Sequence, residues 1–218
     1  MRIRAITLHF REPEAFLDFY IDKLGLQSDG GRIIAGETRV KSQLSSQSNY
    51  YHFAFNIPQN KTAASIDFLE EKGLEIIRFQ GKKIVEFPNW NARSVYFFDS
   101  VGNVVEFIAR RDLDNASEGK FSSADILSMS EIGMPSESVK SSFLELQEKT
   151  SVPQYDGNLK TFCAAGNPEG LFIITHRDRD WFPTEKPSVT APFEGIFEIM
   201  GKNCRIDFSE NELNVQDI

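Results

Sequence analysis

The sequence predicts an α+β protein that is built from repeated modules of mixed β-sheet. The prediction rests on two observations: a strand pattern followed by a helix that ends at a glycine occurs twice, and each copy continues as further strands. The first strand of the repeat includes Ala5 and that of the second includes His52, which gives a period of 47 residues (52 − 5). Because this period is short for two domains, we expect two strand–helix–hairpin modules that build one sheet together.

The first module opens with residues 3–10, which alternate in polarity and are rich in branched and aromatic side chains, as in a half-buried strand. A helix is predicted from Pro13, whose missing N–H suits a first helical turn, to Gly25, which permits a left-handed end. Two short strands are expected at 32–35 and 39–44 with a glycine turn between them.

The second module repeats this order from residue 51. A strand is predicted at 51–58, followed by a helix at 62–72 that ends at Gly73. The later strands of the module are predicted at 75–79, 82–87, 94–99 and 103–110.

The rest of the chain repeats the pattern less clearly. Strands are expected at 126–135, 158–166 and 170–176, with a helix at 139–149, and a strand at 192–200 would open a fourth module that is not completed. The polar end of the chain is expected to fray. The predicted division is a two-module domain at 1–110, a linker at 111–125, a degenerate second half at 126–208 and a polar tail at 209–218.

Charge and composition exclude several classes of function. The 32 Asp and Glu residues outnumber the 24 Lys and Arg residues, which disfavours binding to nucleic acid or an anionic lipid surface. No run of about 18 apolar residues predicts a membrane span. Cys163 and Cys204 lack CxxC spacing, which argues against a disulfide framework or a cysteine-rich zinc module. These features predict a soluble cytoplasmic protein whose partners are small molecules or proteins.

One carboxylate stands in an apolar run. Glu106 lies in the stretch FFDSVGNVVEFIAR, residues 97–110, which otherwise reads as a buried strand. A buried carboxylate must be paired, metal-bound or protonated, because an isolated charge in an apolar interior is costly. His52 is the best candidate partner, and together they suit a divalent metal. Alternatively, Glu106 bonds a tyrosine or arginine or lies on a wetted face, and His52 is an ordinary core histidine.

The order of FYIDKLGL, HFAF and DSVGNVVEF resembles the vicinal oxygen chelate superfamily, which includes glyoxalase I, extradiol dioxygenases, fosfomycin-modifying enzymes and bleomycin-resistance proteins. The resemblance covers residues 1–110 well and the third module loosely. It implies paired βαβββ modules that form a half-open cup of mixed β-sheet. The same resemblance makes 1–110 a glyoxalase-like domain and 126–208 a degenerate, incomplete copy.

The resemblance also implies a metal site. His52 and Glu106 match two metal-ligand positions of the superfamily, with Glu106 also the catalytic residue, and the ion would be Zn, Mn, Fe or Ni. The superfamily's first-strand ligand position falls on Ala5, and the glutamate position of module one falls near Val40. Neither of these residues binds a metal.

The second half is not expected to build a centre of its own. Its first-strand ligand position falls near Met129 or Ser130, and Ile174 takes the position of Glu106. His176 would face the same side as Ile174, within HRDRDWFPTEKP at 176–187, which we interpret as a solvated hairpin or an interface.

Four residues are candidates for binding a substrate. His9 lies on the same side of its strand as Ala5, so it could face the cup. The loop FPNWNAR at 87–93 carries Trp90, Asn91 and Arg93, which could bind an aromatic or carboxylate-bearing ligand at the mouth of the cup. Trp90 is equally consistent with a hydrophobic lid over the core.

The function predicted first is that of a glyoxalase- or dioxygenase-like enzyme, a metal-dependent lyase or isomerase or a ring-cleavage dioxygenase, that acts on a small molecule in the N-terminal cup. The alternative is a metal-free small-molecule binding protein similar to the bleomycin-resistance proteins. A structural or regulatory partner of another protein is a third hypothesis. A homodimer is also open, because superfamily members often complete their cups by dimerising, although this chain carries enough modules to complete one alone.

Overall fold

The computed structural model describes residues 1–209 and 212–218. The first module begins with a strand and a helix, and Pro13 lies in the first turn of that helix as predicted. A π-helical turn at Phe19–Lys23 extends the helix. The elements are β1 (Arg2–Phe10), α1 (Pro13–Asp18), β2 (Gln27–Asp29), β3 (Arg32–Ala35) and β4 (Thr38–Leu44).

The second and third modules each contain one strand, one longer helix and further strands. The second consists of β5 (His52–Ile57), α2 (Thr62–Glu71), β6 (Ile76–Ile77), β7 (Val85–Phe87), β8 (Ala92–Phe98) and β9 (Val104–Arg110). The third consists of β10 (Ser128–Ser136), α3 (Val139–Thr150), β11 (Gln154–Gly157), β12 (Phe162–Asn167) and β13 (Gly170–His176).

The last part of the chain contains β14 (Asp180–Trp181), β15 (Lys186–Pro187), β16 (Phe193–Ile199), β17 (Lys202–Ser209) and β18 (Glu212–Asp217). The expectation that the polar end frays is wrong for residues 212–217, because β18 pairs with β17 along its whole length. Residues 210 and 211 of the predicted tail lie outside the described residues.

The strands form two large mixed sheets, so the predicted α+β class is confirmed. The nine-stranded sheet has the order β11-β12-β13-β10-β5-β9-β8-β6, with β7 also paired to β8. The seven-stranded sheet has the order β18-β17-β16-β1-β4-β3-β2. Modules two and three therefore share one sheet, whereas module one pairs with the last three strands.

The prediction that modules one and two build one sheet is wrong. Within each sheet, two modules join at an antiparallel pair of first strands, β5 with β10 in the nine-stranded sheet and β1 with β16 in the seven-stranded sheet. A sequence repeat identifies the modules, but it does not identify which modules pair, because the pairing strands lie far apart in the chain. The domain limits proposed from the sequence remain a prediction.

The main core lies on one face of each sheet. On β1, Ile6 and Leu8 belong to the core, whereas Ala5 and Thr7 point to the opposite face. The same hydrophobic core includes Phe107 of β9 and residues of all three helices. Each sheet therefore keeps its other face for side chains with a different role.

Residues 111–125 connect β9 to β10, and they contain one short 3₁₀ turn at Ser123–Asp125. Lys61 Nζ anchors this segment by donating to the Glu118 carbonyl at 3.0 Å. The connection carries the chain from β9 past β5, so that β10 lies on the other side of β5. None of the helices in the described ranges has both the length and the apolar character needed to cross a bilayer. The cytoplasmic location remains a prediction.

Candidate metal centre

Three neighbouring strands bring one histidine and two glutamates to the same face of the nine-stranded sheet. Ala54 on β5 pairs with Glu106 on β9 and, on its other side, with Glu131 on β10. His52 lies two residues before Ala54 on β5 and therefore points to the same face. All three polar side chains are buried.

The donor atoms of these side chains converge. His52 Nε2 lies 3.7 Å from Glu106 Oε2 and 3.9 Å from Glu131 Oε2. One ligand atom from each of the three residues can be chosen so that all lie within 4.8 Å of one another.

His52 is held as a neutral imidazole with one free nitrogen. Its Nδ1 lies 3.1 Å from the Val104 carbonyl oxygen, which fits a tautomer in which Nδ1 donates. Burial lowers the pKa of His52 to about 4, although the bond to Val104 acts in the opposite direction. At neutral pH the lone pair of Nε2 is therefore available on the side of the two carboxylates.

Glu106 is oriented by side chains of β8. The Ser94 hydroxyl donates to Glu106 Oε1 at 2.5 Å, and Tyr96 pairs with Glu106 across the strands. Burial raises the pKa of Glu106, while the bond from Ser94, the charge of Arg110 and the neighbouring Tyr96 oppose that rise. Oε2 is left facing His52.

Glu131 is part of a buried ion pair with Arg110. Arg110 Nη2 bonds Glu131 Oε1, and Arg110 Nε donates to Asn56 Oδ1 at 3.2 Å. Burial, together with the charge of Glu106, raises the pKa of Glu131 to about 8, and Arg110 opposes this rise. The ion pair occupies one oxygen of Glu131, so the other oxygen faces His52.

This donor set fits a divalent transition metal. Neutral imidazole nitrogen and carboxylate oxygen are ligands for zinc, manganese, iron and nickel. Metal–ligand bonds of roughly 2.0–2.2 Å let one ion bridge donors up to about 4.2 Å apart, and both histidine–carboxylate distances, 3.7 and 3.9 Å, fall below that limit. Three protein ligands also leave room for water or a substrate oxygen, as catalytic sites require.

The three residues lie at the bottom of a cavity of about 390 Å³. That volume lies within the range typical of small-molecule sites, roughly 300–1,000 Å³. Six aromatic side chains from four different parts of the chain line it: Phe87, Trp90, Tyr96, Phe162, Trp181 and Phe182. Four charged residues line it as well: Glu86, Asp156, Arg179 and Asp180. The site therefore combines the buried cluster of His52, Glu106 and Glu131 with a wall that is rich in aromatic rings and also carries charge.

Comparison with known proteins places this architecture among known folds. No protein-family model matches the chain, and no curated protein matches it either. A solved structure of a "putative dioxygenase" from Bacillus subtilis subsp. subtilis str. 168 is 13% identical and has a TM-score of 0.62, with 100% of this chain and 84% of that chain covered. Glyoxalase I from Zea mays is 11% identical and has a TM-score of 0.55, with 99% of this chain and 92% of that chain covered.

The chain has the fold of the vicinal oxygen chelate superfamily. The predicted resemblance is thus confirmed at the level of the fold. Both similar structures align over nearly all of this chain. The similarity therefore includes the second half, which the sequence motifs matched only loosely.

In this vicinal oxygen chelate fold, the site combines modules two and three rather than modules one and two. Ala5 and Val40, at the positions that the sequence assigned to ligands of module one, lie on the other sheet. The second half was not expected to build a centre of its own, and it contributes one residue, Glu131 of its first strand, to the donor cluster with His52 and Glu106.

A one-residue shift in strand register explains why the sequence did not identify Glu131 as a donor. The sequence placed the ligand position of the third module near Met129 or Ser130, but the pairing of β10 with β5 shifts register between Met129 and Glu131. One residue of slippage moves a side chain to the other face of a strand. No periodicity signal in the sequence marks this irregularity, although an isolated glutamate in ILSMSEIGMP is a signal of the same kind as Glu106.

The same shift applies to β13. Gly133 pairs with Ile173 as Ala54 pairs with Glu106, so Ile173 rather than Ile174 takes the fourth position. Ile173 lines the cavity, whereas Ile174 belongs to the main core. The fourth position is therefore apolar, as the sequence implied, but at a different residue.

The segment 176–187 is not simply a solvated hairpin. Its strands β14 and β15 pair with each other, and Trp181 is buried with its ring centroid 5.2 Å from that of His52. Gly133 makes room for this ring, because a Cβ there would lie 2.5 Å from a Trp181 ring carbon. The hairpin thus closes one side of the cavity, and sequence reasoning missed Trp181.

The structure separates the predicted substrate-binding residues. Trp90 lines the cavity, and its Nε1 donates to Asp156 Oδ2 at 2.5 Å. Asn91 Nδ2 instead donates to Asp112 at 2.7 Å on the surface, and Arg93 forms an ion pair with Glu86 at 3.0 Å.

His9 lies on β1 of the seven-stranded sheet, away from the metal centre. Burial lowers the pKa of its imidazole, with Lys41 acting in the same direction and Glu194 opposing it. The predicted approach of His9 to the metal-site cavity is not what the fold produces. Of the predicted residues, the structure brings together His52, Glu106 and Trp90.

Proposed function

We propose that this protein holds a divalent metal ion through His52, Glu106 and Glu131 and acts on a small molecule in the adjoining cavity, as a glyoxalase- or dioxygenase-like enzyme. The single observation that carries the proposal is the convergence of three buried donor groups within 4.8 Å. Buried charges are normally paired or bound to metal. With His52 neutral, the single positive charge of Arg110 can balance only one of the two carboxylates, so a bound cation would balance the other.

The chain's own residues prepare the site for such an ion. The Val104 carbonyl fixes the His52 ring so that Nε2 faces the carboxylates. Ser94 and Arg110 fix one oxygen each of Glu106 and Glu131 and leave the other oxygen free. When bound, a divalent ion would act as a Lewis acid that stabilises negative charge on a substrate oxygen.

The shape of the cavity favours a ligand with a flat apolar body. The wall offers aromatic faces for stacking, which prefer offset or edge-to-face contact with another ring. Trp181, which is buried, and Phe182, which is partly buried, both line this space. We therefore propose a planar or aromatic molecule that carries adjacent oxygen atoms at the end that faces His52.

A metal-free binding protein is the second candidate. Ile173 at the fourth ligand position favours it, as does the Arg110–Glu131 ion pair, because both reduce the ligand capacity of the site. In that function the aromatic wall encloses an apolar ligand, and the polar floor bonds its oxygen atoms.

Metal analysis separates the two candidates. Protein purified without chelators is analysed for bound metal as wild type, His52→Ala, E106Q and E131Q. His9→Ala is the matched control, because His9 is a histidine of the other sheet. The enzyme proposal predicts near-stoichiometric metal in the wild type and in His9→Ala, and its loss in the other three variants. A wild type that binds no added Zn, Mn, Fe or Ni would overturn it.

Ligand binding has a separate readout. Both tryptophans of the chain, Trp90 and Trp181, line the cavity, so tryptophan fluorescence reports its occupancy directly. Catechol serves as a planar probe with adjacent oxygens. We expect it to quench the fluorescence of metal-loaded wild type and to do so less in His52→Ala. Equal quenching in both proteins would favour the metal-free binding protein.

A further inference from the structure

The seven-stranded sheet carries a second cavity, of about 430 Å³, on the face turned away from the core. Its strands repeat the arrangement of the metal centre. Thr7 on β1 pairs with Lys41 on β4 and with Glu194 on β16, as Ala54 pairs with Glu106 and Glu131. Ala5 lies two residues before Thr7, in the place that corresponds to His52.

The side chains at these equivalent positions differ in chemical type from those of the first cavity. A lysine stands where the metal centre has Glu106, and an alanine stands where it has His52. Glu194 remains as a glutamate, but Arg205 forms an ion pair with it. The second cavity therefore lacks the donors for a metal at these places.

Three cations cluster at one side of this cavity. Arg32 on β3 lies directly opposite Lys41 on β4, and Arg39 lies two residues before Lys41 on the same face. Like charges that are directly opposite across strands destabilise a sheet. In the described part of the chain, no ion pair neutralises any of the three.

The other cations that line the cavity are already neutralised. Arg4 pairs with Glu37 at 2.8 Å and with Glu198 at 2.5 Å. Arg205 pairs with Asp207 at 3.2 Å in addition to Glu194. The positive charge that is left over is thus concentrated at the β3–β4 side, in a chain whose net charge is −8.

Small side chains leave space beside these cations. Ala5 and Thr7 form the part of β1 that faces the cavity. Ile196 on β16 pairs with Ala5 and faces the cavity beside it. The result is a depression with small side chains on β1 and long cationic side chains at its edge.

We propose that this cavity, which we call the basic cavity, binds a small polyanion with phosphate or carboxylate groups through Arg32, Arg39 and Lys41. Guanidinium groups match the oxygen geometry of phosphate and carboxylate with two parallel bonds. A bound anion also relieves the repulsion between Arg32 and Lys41. The inference does not rest on the metal centre, since the two cavities lie on different sheets.

The test is titration calorimetry of the full chain with inorganic pyrophosphate and, separately, citrate at about 50 mM ionic strength, where charge interactions are weakly screened. R39Q/K41Q removes two charges from the basic cavity. K140Q/K160Q removes the same charge from exposed positions elsewhere and is the matched control. We expect binding of one or both anions to weaken about tenfold or more in R39Q/K41Q, which is a loss of about 1.4 kcal/mol or more, and to stay within about twofold in the control.

Further variants and a vesicle-binding measurement decide the outcome if the first variant does not fold or the first result is ambiguous. If R39Q/K41Q does not fold, R32Q and K41Q alone are compared with K140Q. His52→Ala should bind pyrophosphate like the wild type, which separates this inference from the proposed function. The proposal is overturned if neither anion binds, or if the control weakens as much as R39Q/K41Q. Binding to phosphatidylserine vesicles without binding to either anion would also overturn it in favour of a lipid surface.

Discussion

The two cavities use the same strand geometry for opposite electrostatics. In each, a first strand lies between a parallel last strand and the antiparallel first strand of another module. The nine-stranded sheet places His52, Glu106 and Glu131 at the three equivalent positions, and the seven-stranded sheet places Ala5, Lys41 and Glu194 there.

The comparison teaches that the fold supplies positions and that single side chains decide what each position does. Solvent access differs as well. The cluster of His52, Glu106 and Glu131 is covered by the hairpin that carries Trp181, which is only 4% exposed, whereas Ile196, which faces Ala5 across the strands, is 37% exposed. Charges in the first cavity therefore interact in a dry environment, and charges in the second interact through water.

The largest predicted effect of the difference in solvent access is on the free energy of unfolding. Above pH 8, where Glu131 is ionised, we expect Arg110→Met to lower the free energy of unfolding by about 3–5 kcal/mol, because it leaves the Glu131 carboxylate buried without its cation. Chemical denaturation of the metal-free protein measures the change. The double variant R110M/E131M should recover much of the loss, because both charges are then absent.

The matched pair in the other sheet is Arg4 with Glu198. Both side chains are partly exposed, and we expect Arg4→Met to change the unfolding midpoint much less than Arg110→Met does. Equal effects of the two substitutions would contradict the contrast between a dry and a wet cavity. So would a double variant R110M/E131M that is no more stable than Arg110→Met.

The sequence was sufficient to predict the fold and two of the three residues of the buried cluster, His52 and Glu106. The repeat and the motifs around Glu106 identified the modules and the pair His52 and Glu106, because those signals are local. The partnership of modules two and three is not local, since it depends on strands far apart in the chain. Face assignment in β10 failed for a different reason, because a register irregularity beside Glu131 breaks the alternation on which such assignments depend.

The second cavity illustrates the same limit. Aligning turn glycines placed Val40 at the position of Glu106, whereas the strand pairing places Lys41 there. Val40 is buried in the core, and Lys41 is exposed on the other face. Because of this one-residue misalignment, the sequence comparison showed neither the lysine at the position of Glu106 nor the cluster of cations around it.

A smaller effect is expected in the pH dependence of stability. Burial and the charge of Glu106 raise the folded-state pKa of Glu131 from 4.5 to about 8, so the folded state holds a proton that the unfolded state releases. The metal-free protein should therefore lose stability as pH rises from 4.5 to 8. Between pH 6.5 and 8 the expected loss is about 1–2 kcal/mol, because the slope of about 1.36 kcal/mol per unit flattens as pH approaches the folded-state pKa. Denaturation at several pH values in the presence of a chelator measures it.

That pH window leaves out most of the other shifted groups. Burial lowers the pKa of the Met1 amino group from 8.0, so this group acts inside the window in the opposite direction, and the E131Q variant separates its contribution from that of Glu131. The lowered pKa of His52, about 4, reduces stability only as pH falls below 6.5, and the raised pKa of Asp99, about 6, acts below 6. The pKa of Glu106 is also raised, so it acts in the same direction as Glu131. E131Q should flatten the slope, and a saturating divalent ion should flatten it too. A slope in E131Q equal to that of the wild type would contradict the assignment.

The smallest expected effect tests whether strand register alone transfers the ligand geometry. In a His52→Ala background, A5H/K41E restores a histidine and a glutamate to the second cavity, where Glu194 is already in place. We expect weak, saturable zinc binding by equilibrium dialysis, weaker than at the original centre because Arg205 holds Glu194 and water reaches the site. Adding E194Q should remove that binding. If A5H/K41E binds no more zinc than its parent, the two cavities share strand pairing but not ligand geometry, and the contrast between them would lie in backbone shape as well as in side-chain identity.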